Sequence, residues 1–322
     1  YHQKFSSRDR VCLPVPLFHC FGCVLGVMAC VNHGATMVLL DAFSPVQVMT
    51  AVEQEKCTAL YGVPTMFQAI LDHRVFSRFD FSSLRTGIMA GSVCPEPLMR
   101  RVMDQMCMSE ITICYGLTEG SPVMTQTRTD DTVERRVKTV GRSMPGIEVT
   151  IRDPETNEEV PRNAVGEVCC RGYNVMQGYY NMPKDTAEAI DEEGWLHTGD
   201  IGTMNEDNTL FIKGRSKSMI LSANGQNIYP EEIESKLNNM SCVLESLVVE
   251  RDGKLVALVY PDYEQADEAG ISYSDIQRVM DENKEVLNTL VAPYEQVTKI
   301  MLWPNEFEKT PKKSIKRFLY NR

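Results

Sequence analysis

Short apolar runs alternate with helix signals along the first 116 residues of the chain. Each run contains at least one Leu, Ile, Val or Met among other apolar residues, and a proline marks a helix start after each of the first three. The runs occupy residues 35–40, 58–62, 84–91 and 110–116. Alternation at this spacing predicts a parallel sheet with helices packed on its faces. Such sheets bind ligands at the carboxyl ends of their strands, so the loops after Gly91 and Tyr115 are the predicted site.

The pattern changes near Val140. Short strands rich in Val, Ile and Thr are separated by turn residues there, and a helix signal interrupts them at 184–190. This pattern predicts a small antiparallel sheet or barrel. The last block combines a helix at 230–237 with a hairpin around Asp252-Gly253, which is typical of a compact α+β arrangement.

The composition is that of a protein with a sizeable core, because 43% of the 322 residues are hydrophobic and 24% are charged. The net charge of -11 repels phosphate backbones and argues against a nucleic-acid partner. No apolar run is long enough for a transmembrane segment, and no signal-peptide pattern opens the chain. The polar start lacks an initiator Met, so we expect a fragment or a processed chain.

Eleven cysteines are scattered along the chain. An odd, unpatterned set is typical of buried free thiols in a reducing cytoplasm. Cys20 and Cys23 have the spacing of a zinc-binding pair, but neither a second pair nor a suitably spaced histidine accompanies them. We therefore expect this pair to be part of the core.

The segment YGLTEG (115–120) directly follows a predicted buried strand. Tyr115 offers a flat aromatic face, and Gly116 lets a ligand approach the backbone closely. Thr118 offers a hydroxyl, and Glu119 offers a carboxylate that suits the magnesium ion of a nucleotide. Taken alone, the segment is equally well interpreted as a polar loop after a core strand.

Two further polar clusters end predicted strands. In GWLHTGD (194–200), the Asp200 carboxylate is suited to accept hydrogen bonds from ribose hydroxyls, or to bind backbone amides in a turn. In IKGRSKSMI (212–220), the Arg215 guanidinium is suited to bind ribose or phosphate oxygens, or to lie on the surface.

Taken together, these clusters resemble motifs of the adenylate-forming superfamily, which includes acyl-CoA synthetases, luciferases and peptide-synthetase adenylation domains. YGLTEG resembles its Tyr-Gly-x-Thr-Glu motif, and WLHTGD resembles its Trp-x-x-Thr-Gly-Asp motif. KGRSKSMI together with NGQNIYPEEIE resembles the hinge of the family. PLFHCFG resembles an element near the acyl pocket, and IMAGSVCP resembles the loop beside adenine. The resemblance covers essentially the whole chain, and within the superfamily the chain resembles medium- or long-chain fatty acyl-CoA synthetases.

The resemblance implies a nucleotide site. It implies that Tyr115 stacks on adenine, with Gly91, Ser92 and Gly116 around the base. It also implies that Asp200 binds the ribose hydroxyls.

The resemblance assigns the phosphate side and the second half-reaction to other residues. Thr118 contacts phosphate and Glu119 the magnesium ion, while Arg215 supports ribose and phosphate. Lys217 is implied to be the hinge, and Gly225 to border the CoA tunnel.

His19 is implied to stand where the acyl pocket meets the phosphates. It lies in sequence among Phe18, Phe21 and Leu25, an apolar setting that suits a fatty acid. The same residues are equally well interpreted as the ordinary start of an apolar helix, with His19 satisfied by local hydrogen bonds.

The implied fold is α/β with three parts. Residues 1–139 are the α/β part of an AMP-binding domain, incomplete at its N-terminus, and residues 140–215 are its β-rich, barrel-like subdomain. Residues 216–322 are a mobile α+β C-terminal lid domain.

The implied reaction uses ATP, Mg²⁺ and CoA to activate a small-molecule carboxylic acid, which we expect to be a fatty acid. The carboxylate attacks the α-phosphate of ATP, giving acyl-AMP and pyrophosphate, and magnesium and cationic groups neutralise the phosphate charge. The CoA thiol then attacks the acyl carbonyl, giving acyl-CoA and AMP. The two steps need different surroundings, which the family provides with its swinging domain.

Two departures from the family pattern limit this expectation. Nothing in residues 1–16 matches the family's Ser/Thr/Gly-rich phosphate loop, so we expect the chain alone to be unable to form the adenylate. The tail, EKTPKKSIKR, places Ser314 where the family has a catalytic lysine. Either Lys313 takes that catalytic role by a local shift, or the tail is a solvated basic segment and adenylation is weakened.

Two alternatives to an AMP-forming acyl-CoA synthetase stay open. One is an acyl-AMP ligase or adenylation domain that loads a carrier protein, and the other is a catalytically impaired binding or regulatory homologue. We expect a cytoplasmic location, and the sequence is compatible with a homo-oligomer. The acyl chain length cannot be inferred from it.

Overall fold

The computed structural model describes residues 3–221, 226–309 and 315–320. It divides into two compact units, Tyr1–Ile212 and Lys213–Arg322. The three parts expected from the sequence, with boundaries after residues 139 and 215, remain a prediction.

The first unit contains a large sheet whose first five strands in sequence are parallel. Its strands are β1 (Arg10–Leu13), β2 (Thr36–Leu39), β3 (Ala59–Gly62), β4 (Thr86–Met89), β5 (Glu110–Tyr115), β6 (Thr125–Gln126) and β7 (Arg142–Ser143). The order in the sheet is β2-β1-β3-β4-β5-β6-β7, and β6 and β7 pair in antiparallel fashion. Strand β1 escapes the sequence prediction because four residues just before Pro14 are too few for a periodic signal.

Helices cover both faces of this sheet, which confirms the predicted α/β class. They are a π-helical segment (Phe21–Met28) continued by α1 (Ala29–His33), α2 (Pro45–Gln54), α3 (Pro64–Leu71), α4 (Glu96–Gln105) and α5 (Val133–Lys138). Three of them, α2, α3 and α4, connect successive parallel strands and begin at or directly after a proline. Their apolar side chains form one core with the sheet, while Phe21 and Cys30 join a second core that contains Tyr61.

The predicted antiparallel sheet is present in the remainder of the first unit. It contains β8 (Ile147–Arg152), β9 (Gly166–Gly172), β10 (Leu196–Met204) and β11 (Leu210–Arg215), and helix α6 (Pro183–Ala189) precedes β10. The strand order is β11-β10-β9-β8. The sequence pattern did not predict strand β10, whose sequence is LHTGDIGTM, because it contains Gly and Asp residues that are typical of turns.

The second unit is α+β, as the sequence pattern predicts. Its elements are β12 (Ile220–Leu221), β13 (Asn227–Ile228), α7 (Pro230–Leu237), β14 (Val243–Arg251), β15 (Lys254–Pro261), α8 (Tyr263–Glu268), α9 (Ile276–Leu290) and β16 (Lys299–Leu302). Asp252 and Gly253 both have positive φ and form the predicted two-residue hairpin between β14 and β15. Strand β16 pairs in parallel with β15, and helices α7 and α9 pack against this sheet.

A buried ion pair joins the end of the described chain to α7. The Arg317 guanidinium donates to a carboxylate oxygen of Glu234, whose other oxygen accepts the Val248 N–H at 2.6 Å. Burial raises the pKa of Glu234 to about 7, although the Arg317 charge and the Val248 N–H act in the opposite direction. This pair therefore anchors Ile315–Tyr320 within the second unit.

The eleven cysteines all lie in the described ranges, and each is a free thiol. Seven of them are buried, in agreement with the expectation for most of the set. The expectation that Cys20 and Cys23 belong to the core is wrong, because the helical turn at this point leaves Cys23 exposed and Cys20 half-buried. Among the described helices, none is both long and apolar enough to cross a membrane.

Candidate active site

Two loops predicted to carry the site leave the same edge of the parallel sheet. Strands β4 and β5 are adjacent and parallel, so the residues that follow Met89 and Tyr115 lie next to each other at the carboxyl edge. Gly91 has φ of 93°, a backbone conformation that favours glycine, and both Gly91 and Ser92 are exposed. The strand order therefore brings the two predicted loops together.

The Tyr115 hydroxyl donates a hydrogen bond to Asp200 Oδ2 at 2.6 Å. Tyr115 ends β5 of the parallel sheet, whereas Asp200 lies in β10 of the antiparallel sheet. Asp200 is only 6% exposed, and Tyr115 is half-buried. Residues 85 positions apart in sequence thus meet, and a carboxylate lies at the end of an aromatic side chain.

An irregularity in β10 sets the position of Asp200. The pairing of β10 with β9 is regular up to His197 and resumes at Ile201, so the residues between them bulge out of the ladder. Thr198 Oγ1 accepts the Asp200 N–H at 3.1 Å, and the Gly199 N–H donates to Glu167 Oε1 at 2.8 Å. These bonds fix the bulge and direct the Asp200 side chain toward Tyr115.

The turn that carries Thr118 and Glu119 is tied to the segment after β9. The Tyr179 hydroxyl donates to Glu119 Oε1 at 3.0 Å, and the Asn174 side-chain amide donates to Gly120 O at 2.9 Å. Burial raises the pKa of Tyr179, and the hydrogen bond to Glu119 and its negative charge raise it further. Glu119 is thus an oriented, half-buried carboxylate, while Thr118 is exposed.

Gly116 has a packing role in the structure. A Cβ atom at this position would lie 1.9 Å from the carbonyl oxygen of Pro122, so a larger residue would force the two backbone segments apart. Glycine is therefore required at this position by the packing of its own chain.

His19 and Cys20 lie beside the same turn. Cys20 Sγ is 3.7 Å from Thr118 Oγ1, and His19 Nδ1 accepts the Phe21 N–H at 3.1 Å. This bond places the proton of a neutral His19 on Nε2. The predicted apolar setting is only partly present, because Phe21 is buried but Phe18 is 93% exposed.

The remaining predicted residues belong to the second unit. Arg215 ends β11 and is exposed, and Lys217 lies exposed in the short helical turn Ser216–Ser218 that follows. Gly225 and Lys313 lie outside the described residues.

The sequence reasoning missed the residues that orient the site. Tyr179, Asn174 and Glu167 are hydrogen-bonded to the segments that carry Glu119 and Asp200. These three residues lie between the recognised motifs, in turns and a strand that contain glycine. No spacing rule in the sequence indicates which distant residue such a side chain bonds to.

The end of β5 presents Tyr115 and, in the turn that follows, Thr118. Two oriented carboxylates lie beside them, Glu119 in the same turn and Asp200 from the antiparallel sheet. Open parallel sheets commonly bind ligands at such strand ends. The family model described as "AMP-binding enzyme" matches residues 1–180. The chain belongs to this AMP-binding enzyme family.

Relatives with described activities resemble most of the chain. It is 53% identical over 247 residues to the putative acyl-CoA synthetase YngI of Bacillus subtilis, a match that covers 77% of this chain and 45% of that protein. It is 42% identical over 249 residues to the mitochondrial medium-chain acyl-CoA ligase ACSF2 of Macaca fascicularis, which covers 77% of this chain and 40% of that protein. The chain therefore spans less than half the length of these curated relatives.

A solved structure resembles the chain over nearly its full length. It is the anthranilate CoA ligase AuaEII in complex with anthranoyl-AMP, with 25% identity and a TM-score of 0.83. The match covers 98% of this chain and 58% of that structure.

Proposed function

We propose that the protein activates a carboxylic acid with ATP and transfers it to CoA, as an AMP-forming acid–CoA ligase. The carboxylate displaces pyrophosphate from ATP to give an acyl-adenylate, and the CoA thiol displaces AMP to give the thioester. Family membership and the names of the relatives support this proposal. The observation that carries it is the Tyr115–Asp200 hydrogen bond at the edge where the strands end.

The proposed adenosine subsite uses this pair. The Tyr115 ring stacks on adenine, while Gly91 and Ser92 line the base from the neighbouring strand end. The buried Asp200 carboxylate accepts hydrogen bonds from the ribose hydroxyls. The Tyr115 hydroxyl orients that carboxylate, so the base and the sugar are positioned by one connected unit.

The proposed phosphate subsite uses Thr118 and Glu119. The Thr118 hydroxyl donates to a phosphate oxygen, and the Glu119 carboxylate is the magnesium ligand. Glu119 fits that ion because its carboxylate is oriented by Tyr179 and belongs to a half-buried turn. When bound, magnesium neutralises phosphate charge that would otherwise repel the attacking carboxylate.

Roles in the second unit are part of the same proposal. Arg215 supports ribose and phosphate, Lys217 is the hinge, and Gly225 borders the path of the CoA thiol. Lys313 takes the place of the lysine that bridges the substrate carboxylate and the α-phosphate. Their support is the resemblance of the sequence motifs.

The proposed acid is a fatty acid, and the medium-chain name of one relative supports this class. His19, with its proton on Nε2, is suited to stand between the acyl chain and the phosphates. The cytoplasmic location and the inability of the 322 residues alone to form the adenylate stay predictions.

The reaction is tested by incubating the protein with ATP, magnesium, CoA and acids that range from acetate to long-chain fatty acids. Since the chain spans less than half of its relatives' length, the assay compares the 322 residues with a form extended to that length. We expect the extended form to give AMP and an acyl thioester in equal amounts, with the highest rate for an apolar acid, and the 322 residues alone to give neither. Pyrophosphate and acyl-AMP without thioester from the extended form would favour an acyl-AMP ligase, and no product with any acid would favour an impaired homologue.

A further inference from the structure

Three side chains that contact none of the proposed substrates converge on one face of the antiparallel sheet. Glu167 and Cys169 are two residues apart on β9 and therefore point to the same side, and His197 is directly opposite Cys169 on β10. A carboxylate oxygen, Cys169 Sγ and a ring nitrogen of His197 all lie within 4.8 Å of one another. Carboxylate, thiolate and imidazole are the ligands that zinc takes in proteins.

The His197 ring lies among three possible ligand atoms of other side chains. Nδ1 lies 2.8 Å from Glu167 Oε2 and 3.5 Å from Cys169 Sγ, while Nε2 lies 3.6 Å from Asp191 Oδ2. With a proton on Nδ1 the ring donates to Glu167, and with the proton on Nε2 the Nδ1 lone pair faces the same space as the Glu167 oxygen and the Cys169 sulfur. A metal ion in that space takes the place of the Nδ1 proton.

The outer contacts match those of a metal site. A metal-bound histidine usually directs its other ring nitrogen to a carboxylate, which is the position of Asp191. Asp191 is itself fixed by the Asn157 amide and by the backbone N–H of Trp195, at 3.0 and 2.9 Å. The second oxygen of Glu167 accepts the Gly199 N–H. Each candidate carboxylate is therefore oriented before any ion binds.

Burial adds to this argument. Cys169 is fully buried, whereas the Glu167 and His197 side chains are 14% and 22% exposed, so solvent reaches the cluster from one side.

We propose that Glu167, Cys169 and His197 bind a zinc ion through a carboxylate oxygen, Sγ and Nδ1, with water as the fourth ligand. On binding, the Cys169 thiol loses its proton to solvent and a zinc–sulfur bond forms, with no change of oxidation state. Ordinary zinc bond lengths separate sulfur and nitrogen ligands by about 3.6 Å, close to the observed 3.5 Å. The Glu167 oxygen has to withdraw from Nδ1 by about 0.5 Å to reach a tetrahedral arrangement.

The test measures zinc in the intact chain, with the exposed Cys23 and Cys107 replaced by serine to remove surface thiols. The protein is stripped with a chelator, dialysed against zinc chloride, and analysed for zinc content and by X-ray absorption. We expect one zinc ion per chain with a single sulfur ligand. A spectrum that shows no sulfur ligand, or several, would overturn the proposal. This result does not depend on whether the ligand variants described next fold.

Matched variants assign the ion to this cluster. We expect Cys169→Ser and His197→Gln to bind zinc at least about tenfold more weakly than the parent. Cys170→Ser is the control, because Cys170 is the next residue, equally buried, and points to the other side of the sheet. Equal zinc affinity in Cys169→Ser and Cys170→Ser would overturn the proposal and leave His197 as a hydrogen-bond partner of Glu167.

Discussion

Two buried carboxylates, one in each unit, have different partners. Glu234 faces the guanidinium of Arg317 and a backbone N–H, which offset only part of the cost of burying its negative charge, because its pKa is raised to about 7. Asp200 accepts a hydrogen bond from the neutral Tyr115 hydroxyl, which ends a strand of the parallel sheet. Both carboxylates are thus held by a side chain distant in sequence, but the one in the first unit lies beside the strand ends where we propose a nucleotide site.

The largest expected effect is on the second unit. Replacing Arg317 by Ala leaves Glu234 buried without its cation, and loss of one partner of a buried pair costs about 3 kcal/mol. We expect hydrogen exchange of the β14 and β15 amides to accelerate about 100-fold or more. Arg278→Ala is the control, since Arg278 forms an exposed pair with Glu282 and should change exchange little. Equal exchange in the two variants would contradict a stabilising role for the buried pair.

The next effect concerns ligand binding. Asp200→Asn keeps the size of the side chain but loses its charge, which should weaken AMP binding about 30-fold, or about 2 kcal/mol. The measurement is calorimetric titration of the chain with AMP. Asp207→Asn, at an exposed aspartate paired with Arg135, is the matched control. If both variants bind AMP like the parent, Asp200 is not the ribose ligand.

A pH effect is expected from Glu234. Because the pKa of Glu234 rises from 4.5 to about 7 on folding, the folded state binds a proton more tightly than the unfolded state. Its contribution to stability is therefore full below pH 4.5 and is lost as the pH rises through about 7. We expect the free energy of opening the second unit to fall by about 1 to 3 kcal/mol over this range.

The measurement is hydrogen exchange of β14 and β15, corrected for the pH dependence of intrinsic exchange. The Glu234→Gln variant, which cannot ionise, should lack this fall. An equal pH dependence in parent and variant would show that another group is responsible.

A smaller effect tests how Asp200 is oriented. Tyr115→Phe keeps the ring proposed to stack on adenine and removes only the hydroxyl that donates to Asp200. Loss of one such hydrogen bond costs about 1 kcal/mol, so AMP affinity should fall about fivefold. A fall as large as that of Asp200→Asn would mean that the hydroxyl itself contacts the nucleotide.

The smallest effect is expected at the phosphate side. Tyr179→Phe removes the bond to Glu119, but Tyr179 is 37% exposed, so water replaces much of the lost interaction. We expect about a twofold weaker affinity for magnesium-ATP and no change in AMP affinity, measured by the same titration. A change in AMP affinity of equal size would contradict the assignment of Tyr179 to the phosphate side.

Local signals in the sequence predicted much of the fold. Proline at helix starts, apolar runs and the Asp252-Gly253 turn predicted elements that the structure contains, because each depends on neighbouring residues only. Strands β1 and β10 were missed because one is very short and the other contains turn residues. The core position expected for Cys23 was wrong because the face on which a helical residue lies depends on tertiary packing.

The candidate site was predictable as a set of residues but not as a geometry. Motif resemblance singled out Tyr115 and Asp200, yet no local rule indicated that the two side chains are in contact. Their meeting depends on a bulge in β10 that is fixed by Glu167, and on the packing of two sheets. Tyr179 was missed for the same reason, since its partner Glu119 is 60 residues away.

The most direct test of the proposed nucleotide site compares AMP with 2′-deoxy-AMP. If Asp200 binds the ribose hydroxyls, the parent chain should bind AMP about tenfold more tightly than the deoxy form, and Asp200→Asn should bind both alike. Equal affinity of the parent chain for the two nucleotides, or no binding of either, would contradict the account.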